Sequence, residues 1–146
     1  MDFLKKHHEW IPAIIIAVIL GMTLPFKFGG AAITDHIFNV VGEFLGLGFF
    51  KNSGSQIIGT LELITVILVL VPSKRALGAV LGMGLMGGAI FFHLFSPLGT
   101  TIQYIDENGA AQADGDMFYM AIVVFLSALY LAFKNKDNLP IIGNKA

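Results

Sequence analysis

Four long apolar runs with almost no charged residues dominate this sequence. They lie at about residues 10–28, 55–71, 76–95 and 117–133, and each approaches the ~20 residues that cross a hydrocarbon core of roughly 30 Å. Only 13% of the residues are charged, against about 25% in a soluble domain. Because a soluble helix alternates polar and apolar faces and these runs do not, the pattern predicts an all-α integral membrane four-helix bundle.

The first run has a second interpretation as a cleaved signal peptide. Lys5 and Lys6 precede its apolar core, and small residues follow at positions 29–32, which is the charge and size pattern of such a peptide. The run is long, however, and no Ala-x-Ala site closes it. Trp10 and Pro12 stand where an interfacial aromatic residue and a first-turn proline belong, so we interpret the run as a membrane helix.

An amphipathic pattern lies between the first two runs, at about residues 35–47. Its apolar residues fall on one helical face and its polar residues on the other: Ile37, Val40, Val41, Phe44 and Leu45 against Asp35, Asn39 and Glu43. This predicts a short helix on the outer membrane surface. The alternative, a fifth buried segment, would carry acidic residues into hydrocarbon. No repeat or second domain is visible, so residues 1–146 are expected to form a single membrane domain.

Basic residues set the expected orientation. Seven of them fall on the side of the termini and two on the other: Lys5, Lys6, Lys74, Arg75, Lys134, Lys136 and Lys145, against Lys27 and Lys51. The positive-inside rule therefore predicts that both termini are cytoplasmic. The outer loop before the fourth run is acidic, and its Asn108–Gly109 pair predicts a hairpin-like turn.

Charge and composition exclude several classes of function. The net charge is −1 and no Lys/Arg-rich patch is present, which argues against nucleic-acid binding. The absence of cysteine excludes disulfides, thiolate metal sites and dithiol chemistry by this chain. His93 is the sole histidine within a membrane run, whereas a transmembrane haem usually needs two axial ligands. His7 and His8 are expected at the interface. We therefore expect no metal site and no intrinsic cofactor.

Three ionisable residues interrupt the apolar runs. Each costs roughly 2.5 to 3.5 kcal/mol on insertion scales, so each is expected to face protein and to have a partner. Threading the chain in and out of the membrane brings Lys27, Glu62 and His93 into the same outer half. Helical spacing aligns Glu62 with Gly59 and Thr65. The hypothesis is an outer polar pocket or proton relay formed by Lys27, Glu62, His93, Tyr119 and Asp116, in which His93 can change protonation near neutral pH.

A purely structural interpretation of these residues stays open. Glu62 then pairs with Lys27 or His93 only to hold the helix register, and Lys27 otherwise snorkels to the headgroups. Glycines are expected to serve helix packing, because small residues let helices approach closely. The candidates are Gly59, Gly78, Gly82, Gly84 and Gly88.

The chain resembles the DoxX-like family of small four-helix bacterial membrane proteins. The resemblance covers about residues 10–133 and rests on a succession of segments, none of them diagnostic alone. They are LPFKF (24–28), IFNVVG (37–42), IGTLELITVILVLVPSKRALGAVL (58–81), GAIFFHL (88–94) and DGDMFYMAIVVF (114–125).

This resemblance implies a multi-pass protein of the bacterial inner membrane, in a family named from subunits of thiosulfate:quinone oxidoreduction. The family's recurring polar positions would correspond to Lys27, Glu62 and His93. The resemblance implies the fold more firmly than an enzymatic activity, because related bundles that exchange thiols use cysteines that are absent here.

Three functions are compatible with these observations. The first is a membrane subunit or partner of a redox complex, whose outer pocket holds a quinone headgroup or passes protons. The second is a non-catalytic accessory or assembly subunit that packs on a larger partner. The third is a small transporter, which would have to form a homo-oligomer because four short helices provide little room.

Overall fold

The computed structural model describes residues 8–135. Its elements are the helices α1 (Trp10–Phe28), α2 (Ala32–Leu45), α3 (Gly48–Leu70), α4 (Arg75–Phe95) and α5 (Asp116–Lys134), a 3₁₀ turn (Pro72–Lys74), and the strands β1 (Ile102–Ile105) and β2 (Ala111–Asp114). His7 and four of the seven basic residues behind the predicted orientation, Lys5, Lys6, Lys136 and Lys145, lie outside the described residues.

Four of the helices are long and apolar enough to cross a membrane: α1, α3, α4 with its preceding turn, and α5. They pack as a ring in which α1 contacts α3 and α5, while α4 contacts α3 and α5. Large apolar side chains such as Ile11, Val18 and Phe133 are more than half exposed on the outside of this ring, as expected where lipid replaces water. The prediction of an all-α membrane four-helix bundle is confirmed.

Small side chains fill the centre of the bundle. The inward face of α5 carries Ala121, Val124 and Ala128. A Cβ atom added at Gly82 would lie 3.3 Å from Thr65 Cγ2 and 3.6 Å from Ala128 Cβ. Helix backbones therefore approach closely here. Because lipid provides no hydrophobic driving force between helices, van der Waals contact stabilises their association.

Helix α3 begins at Gly48, well before the predicted start near residue 55. The segment that precedes residue 55 contains Gly48, Ser53 and Gly54, residues typical of loops. Gly54 serves packing instead, since a Cβ atom there would lie 2.8 Å from Phe38 Cδ1 of α2. Tertiary contact with α2 thus extends the helix through a segment of low intrinsic propensity.

Helix α2 spans Ala32–Leu45, slightly earlier than the predicted 35–47, and ends at Gly46 in the left-handed conformation (φ +71°). The predicted polar face is exposed and includes Asp35, Asn39 and Glu43. The opposite face packs on α3 and β1. Protein therefore covers Val41 and part of Ile37 and Val40, whereas Phe44 and Leu45 at the end of the helix remain exposed.

A two-stranded antiparallel hairpin fills the loop between α4 and α5. Ile102 pairs with Asp114 and Ile105 with Ala111, around the turn that Asn108–Gly109 predicted; Gly109 has φ +80°. Ile102 is fully buried against Ile33 and Val41 of α2. We refer to the end of the bundle that carries α2 and this hairpin as the hairpin side.

The opposite end, which we call the Trp10 side, is joined by polar contacts between the ends of helices. Arg75 Nε donates to the Val69 carbonyl oxygen at 2.8 Å, and its guanidinium carbon lies 4.3 Å from the centroid of the Trp10 ring. Asn135 Nδ2 donates to Glu9 Oε1. These contacts connect the start of α1 with the α3–α4 turn and with the end of α5.

Gly78→Ala should destabilise the bundle. An added Cβ atom would lie 2.8 Å from Leu68 Cβ and 2.8 Å from the Val69 backbone nitrogen, and overpacking of this kind typically costs about 1–3 kcal/mol. Thermal unfolding in detergent measures the effect. Gly21→Ala is the matched control, because nothing lies within 4 Å of a Cβ atom at that position of α1; equal melting temperatures for the two variants would contradict the packing role of Gly78.

The contact between hairpin and α2 should weaken at acidic pH. Glu107 Oε1 accepts a hydrogen bond from the Ala32 backbone N–H, the first of α2, at 2.8 Å, and this bond holds the pKa of Glu107 below its usual 4.5. The stabilisation is therefore present at neutral pH and is lost as the pH falls through the folded-state pKa, below 4.5.

Hydrogen exchange measures this effect as the protection factor of the Ala32 amide. In the wild type we expect the protection factor to fall between about pH 6 and about pH 3, the range in which carboxylates titrate. In Glu107→Gln the protection factor should no longer depend on pH in this range. The Ala110 amide is an internal control, because it bonds to Asp106 Oδ1 at 2.9 Å and should keep its own pH dependence in the variant. A Glu107→Gln variant with wild-type behaviour at Ala32 would show that the bond contributes nothing.

Candidate functional site: a cavity on the hairpin side

A cavity of about 240 Å³ lies inside the hairpin side of the bundle and is lined by all five helices. Its walls are mostly apolar, and its polar lining comes from Thr23, Lys27, Thr34, Glu62 and His93. The three ionisable residues predicted within the membrane runs therefore line one cavity. The apolar walls comprise Ile19, Leu20, Phe26, Ile37, Phe38, Val41, Phe50, Ile58, Leu85, Met86, Ala89, Phe92, Leu98, Met117, Met120 and Ala121.

Lys27 and Glu62 form an ion pair between α1 and α3. Lys27 Nζ lies 3.0 Å from Glu62 Oε2, and the two side chains are 14% and 3% exposed. The ammonium group also donates to Thr23 Oγ1 at 3.5 Å, one turn earlier on α1. The Thr23 hydroxyl in turn donates to the Leu20 carbonyl oxygen at 3.0 Å. Thr23 and Glu62 therefore hold the Lys27 ammonium from two helices.

The Glu62 carboxylate keeps unused hydrogen-bonding capacity. Its Oε2 atom is inaccessible to solvent, and despite the short ion-pair distance no donor among residues 8–135 is aligned with it for a hydrogen bond. Lys27 thus compensates the charge of the carboxylate at 3.0 Å but leaves lone pairs of Oε2 free to accept a further hydrogen bond. A buried acceptor in this state favours any nearby donor.

Gly59 brings Lys27 against Glu62. A Cβ atom at Gly59, three residues before Glu62 on the same face of α3, would lie 3.1 Å from Phe28 Cζ and 3.4 Å from Lys27 Cβ. The missing side chain lets the end of α1 lie directly on α3. The predicted alignment of Gly59, Glu62 and Thr65 is present, and all three residues are buried.

His93 is held by the turn that follows α4. Its Nδ1 atom lies 2.7 Å from the Gly99 carbonyl oxygen, and the residue is 6% exposed. Ser96 Oγ accepts a hydrogen bond from Leu98 N at 3.2 Å, and Gly99 adopts φ +76°, a conformation that favours glycine. The Ser-Pro-Leu-Gly sequence thus turns the chain back so that a backbone carbonyl faces the imidazole.

This hydrogen bond determines the tautomer of the neutral imidazole. A carbonyl oxygen only accepts, so the proton resides on Nδ1 and the other nitrogen, Nε2, is an acceptor. No partner of Nε2 is present among residues 8–135, while the ring itself lies against Phe118 with centroids 5.4 Å apart. The cavity lining therefore includes two acceptors, Glu62 and His93.

Tyr119 and Asp116 do not join this group. Tyr119 is 66% exposed, Asp116 is also exposed, and neither lines the cavity. The sequence placed them in the hypothesised polar pocket, but α5 turns its small residues, Ala121 and Val124, toward the bundle instead. Close backbone approach decides the rotation of this helix, and the bulky tyrosine is left exposed on the outside of the bundle.

The five predicted packing glycines separate into two groups. Gly59, Gly78 and Gly82 lie at helix contacts, where an added Cβ atom would meet a neighbouring helix within 3.4 Å. Gly84 and Gly88 differ from the prediction, because nothing lies within 4 Å of a Cβ atom at either position and both line the cavity. Their lack of a side chain gives the cavity room rather than bringing two helices together.

Several cavity residues were not identified from the sequence. Leu98 and the α2 residues Phe38 and Val41 close the cavity toward the hairpin, and Met117 and Met120 line it from α5. The spacing of the two methionines, three residues apart, was a usable signal for a shared helical face. The covering role of α2 had no such signal, because it depends on contact with the hairpin.

No three His, Asp or Glu side chains in the described part of the chain converge as metal ligands. Comparison with protein-family models, curated proteins and solved structures finds no match. The assignment of a role to this cavity therefore rests on its own geometry.

Removing Lys27 alone should destabilise the protein more than removing Lys27 and Glu62 together. Lys27→Met leaves the carboxylate buried without its cation, and breaking a buried pair costs about 3–5 kcal/mol. In Lys27→Met/Glu62→Gln no charge remains, so part of the loss should be recovered. Unfolding free energies in detergent provide the comparison.

An exposed pair of the same geometry provides the matched control. Lys51 Nζ lies 3.0 Å from Glu43 Oε1, with side chains that are 35% and 71% exposed. Lys51→Met should cost less than about 1 kcal/mol, as exposed pairs do. If Lys27→Met cost no more than Lys51→Met, the buried pair would have no special structural role.

Proposed function

We propose that this membrane protein binds a lipophilic, ring-bearing molecule of the quinone class in the cavity on the hairpin side. The observation that carries the proposal is the cavity itself, which combines apolar walls with the Lys27–Glu62 pair and His93. A few polar groups in an otherwise apolar cleft are typical of sites that orient a small ligand. Carboxylate and imidazole groups also suit proton exchange with a quinone headgroup.

The volume of the cavity is sufficient for a single headgroup. An apolar cavity of about 150 Å³ accepts benzene, so about 240 Å³ holds one substituted six-membered ring. An isoprenoid tail would not fit beside it. The tail must therefore leave the bundle laterally and lie in the bilayer.

Two lining residues reach the outer surface of the bundle and support lateral access. The Phe26 side chain on α1 is 49% exposed, and Gly84 on α4 is exposed as well. Both are parts of spanning helices, so they face lipid. A lipid-soluble ligand can reach the cavity there without crossing water.

The role that follows is that of a membrane subunit or partner of a quinone-linked redox complex. The chain contains no cysteine, so a partner would supply the electron-transfer chemistry while this chain holds and orients the headgroup. We further propose membership of the DoxX-like family, a location in the bacterial inner membrane and cytoplasmic termini. The segments between residues 24 and 125, and the excess of basic residues that the sequence predicts on the side of the termini, support these proposals.

Purification from native membranes in mild detergent tests the proposal. Mass spectrometry should find a quinone and a stoichiometric redox partner with the wild-type protein. Gly88→Leu, which extends a side chain into the cavity, should lose the quinone and keep the fold. Gly21→Leu is the control, since Gly21 also has no neighbour within 4 Å but does not line the cavity.

Three outcomes would contradict the proposal. A wild-type protein that never carries a ring-bearing lipid would argue against a ligand site. A quinone retained by Gly88→Leu would place the binding site elsewhere. A clean oligomer of this chain alone would favour the transport or structural alternatives.

A further inference from the structure

The cavity contains two hydrogen-bond acceptors with unused capacity. Glu62 Oε2 is fully buried, its ion-pair partner Lys27 Nζ at 3.0 Å is not aligned with it as a donor, and no other donor among residues 8–135 reaches it; Glu62 as a whole is 2% exposed. His93 commits its Nδ1 proton to the Gly99 carbonyl, which leaves Nε2 as an acceptor. Both residues line the same cavity.

The donors in the cavity belong mainly to Lys27. Its ammonium lies 3.0 Å from Glu62 Oε2 and gives one of its three N–H groups to Thr23, whose own hydroxyl donates to Leu20. The Thr34 hydroxyl can donate or accept, so it does not discriminate between ligands. A ligand that only accepts hydrogen bonds can bond to Lys27 but leaves the Glu62 oxygen unsatisfied, whereas a hydroxyl group can accept from Lys27 and donate to Glu62.

We infer that the cavity selects a headgroup that donates hydrogen bonds: a phenol or hydroquinone rather than a quinone. This inference rests on the proposed function and specifies the redox form of the ligand. A quinol and its quinone share ring and tail and differ in polarity, because the quinol has two hydroxyl donors where the quinone has two carbonyl acceptors. The aromatic and thioether side chains of the lining, among them Phe92 and Met86, suit either ring.

The preference has a consequence for the redox couple. Tighter binding of the reduced form stabilises it, so the midpoint potential of the bound couple rises relative to the couple in the bilayer. For this two-electron couple, each tenfold preference corresponds to about 30 mV.

The test compares two forms of one probe. Decyl-ubiquinol, kept reduced under anaerobic conditions, and decyl-ubiquinone are titrated against the full chain in phosphatidylcholine nanodiscs. Because an unsatisfied buried acceptor is expensive, we expect the dissociation constant of the quinol to be lower by about tenfold or more. Glu62→Gln should bring the ratio toward one, since an amide donates as well as accepts.

Glu43→Gln is the matched control for the variant. Glu43 is an exposed carboxylate paired with Lys51 at 3.0 Å and does not line the cavity, so its removal should leave the ratio unchanged. If Glu62→Gln fails to fold, the wild-type ratio still decides between the two ligand forms.

Each contrary result has its own meaning. Equal affinities, or a preference for the quinone, would overturn the inference and leave the proposed quinone-class site intact. A quinol preference that survives Glu62→Gln would overturn the part assigned to Glu62. Absence of binding by both forms, or binding that Gly88→Leu does not weaken, would overturn the inference and the proposed function together.

Discussion

The Lys27–Glu62 ion pair at the contact of α1 and α3 is the interaction on which the hairpin side depends. Each charge alone is costly in hydrocarbon, so neither helix can place its ionisable residue there without the other. Gly59 makes the pairing possible, because any side chain at this position would press on Phe28 and Lys27. The pair therefore sets both the rotation and the separation of these two helices.

Charge compensation and hydrogen bonding are separate requirements at this site. Lys27 neutralises Glu62 at 3.0 Å, yet Oε2 receives no aligned donor within the described residues. On the facing side of the cavity, the turn after α4 occupies one nitrogen of His93 with the Gly99 carbonyl. The result is a mostly apolar cavity in which Glu62 and His93 keep acceptor capacity, which is a basis for ligand selection rather than for stability.

The covering of the cavity depends on contacts distant in sequence. Glu107 at the tip of the hairpin binds the first backbone N–H of α2, and Ile102 packs against Ile33 and Val41. These contacts hold α2 against the bundle, where Phe38 and Val41 line the cavity. An amphipathic segment that would otherwise lie on the bilayer surface thereby becomes part of the site.

Much of this architecture was readable from local pattern. The uncharged runs, the amphipathic segment and the Asn108–Gly109 turn follow from residue type and periodicity, because a bilayer admits few backbone conformations. The inward orientation of Glu62 and His93 followed from the cost of burying charge. The start of α3 and the position of Tyr119 could not be predicted from local pattern. Helix propensity and the spacing of polar residues do not show which neighbouring helix a residue will contact.

The sequence by itself determined four membrane-spanning helices and the presence of three ionisable groups at one level of the bundle. Tertiary structure alone decided that Lys27 pairs with Glu62 while His93 bonds to Gly99, that Gly84 and Gly88 border a cavity, and that α2 closes it. The physical reason is that hydrophobicity and helical period act within one segment. Partner choice depends instead on the rotation of each helix about its axis, which is set by close packing between segments far apart in the chain.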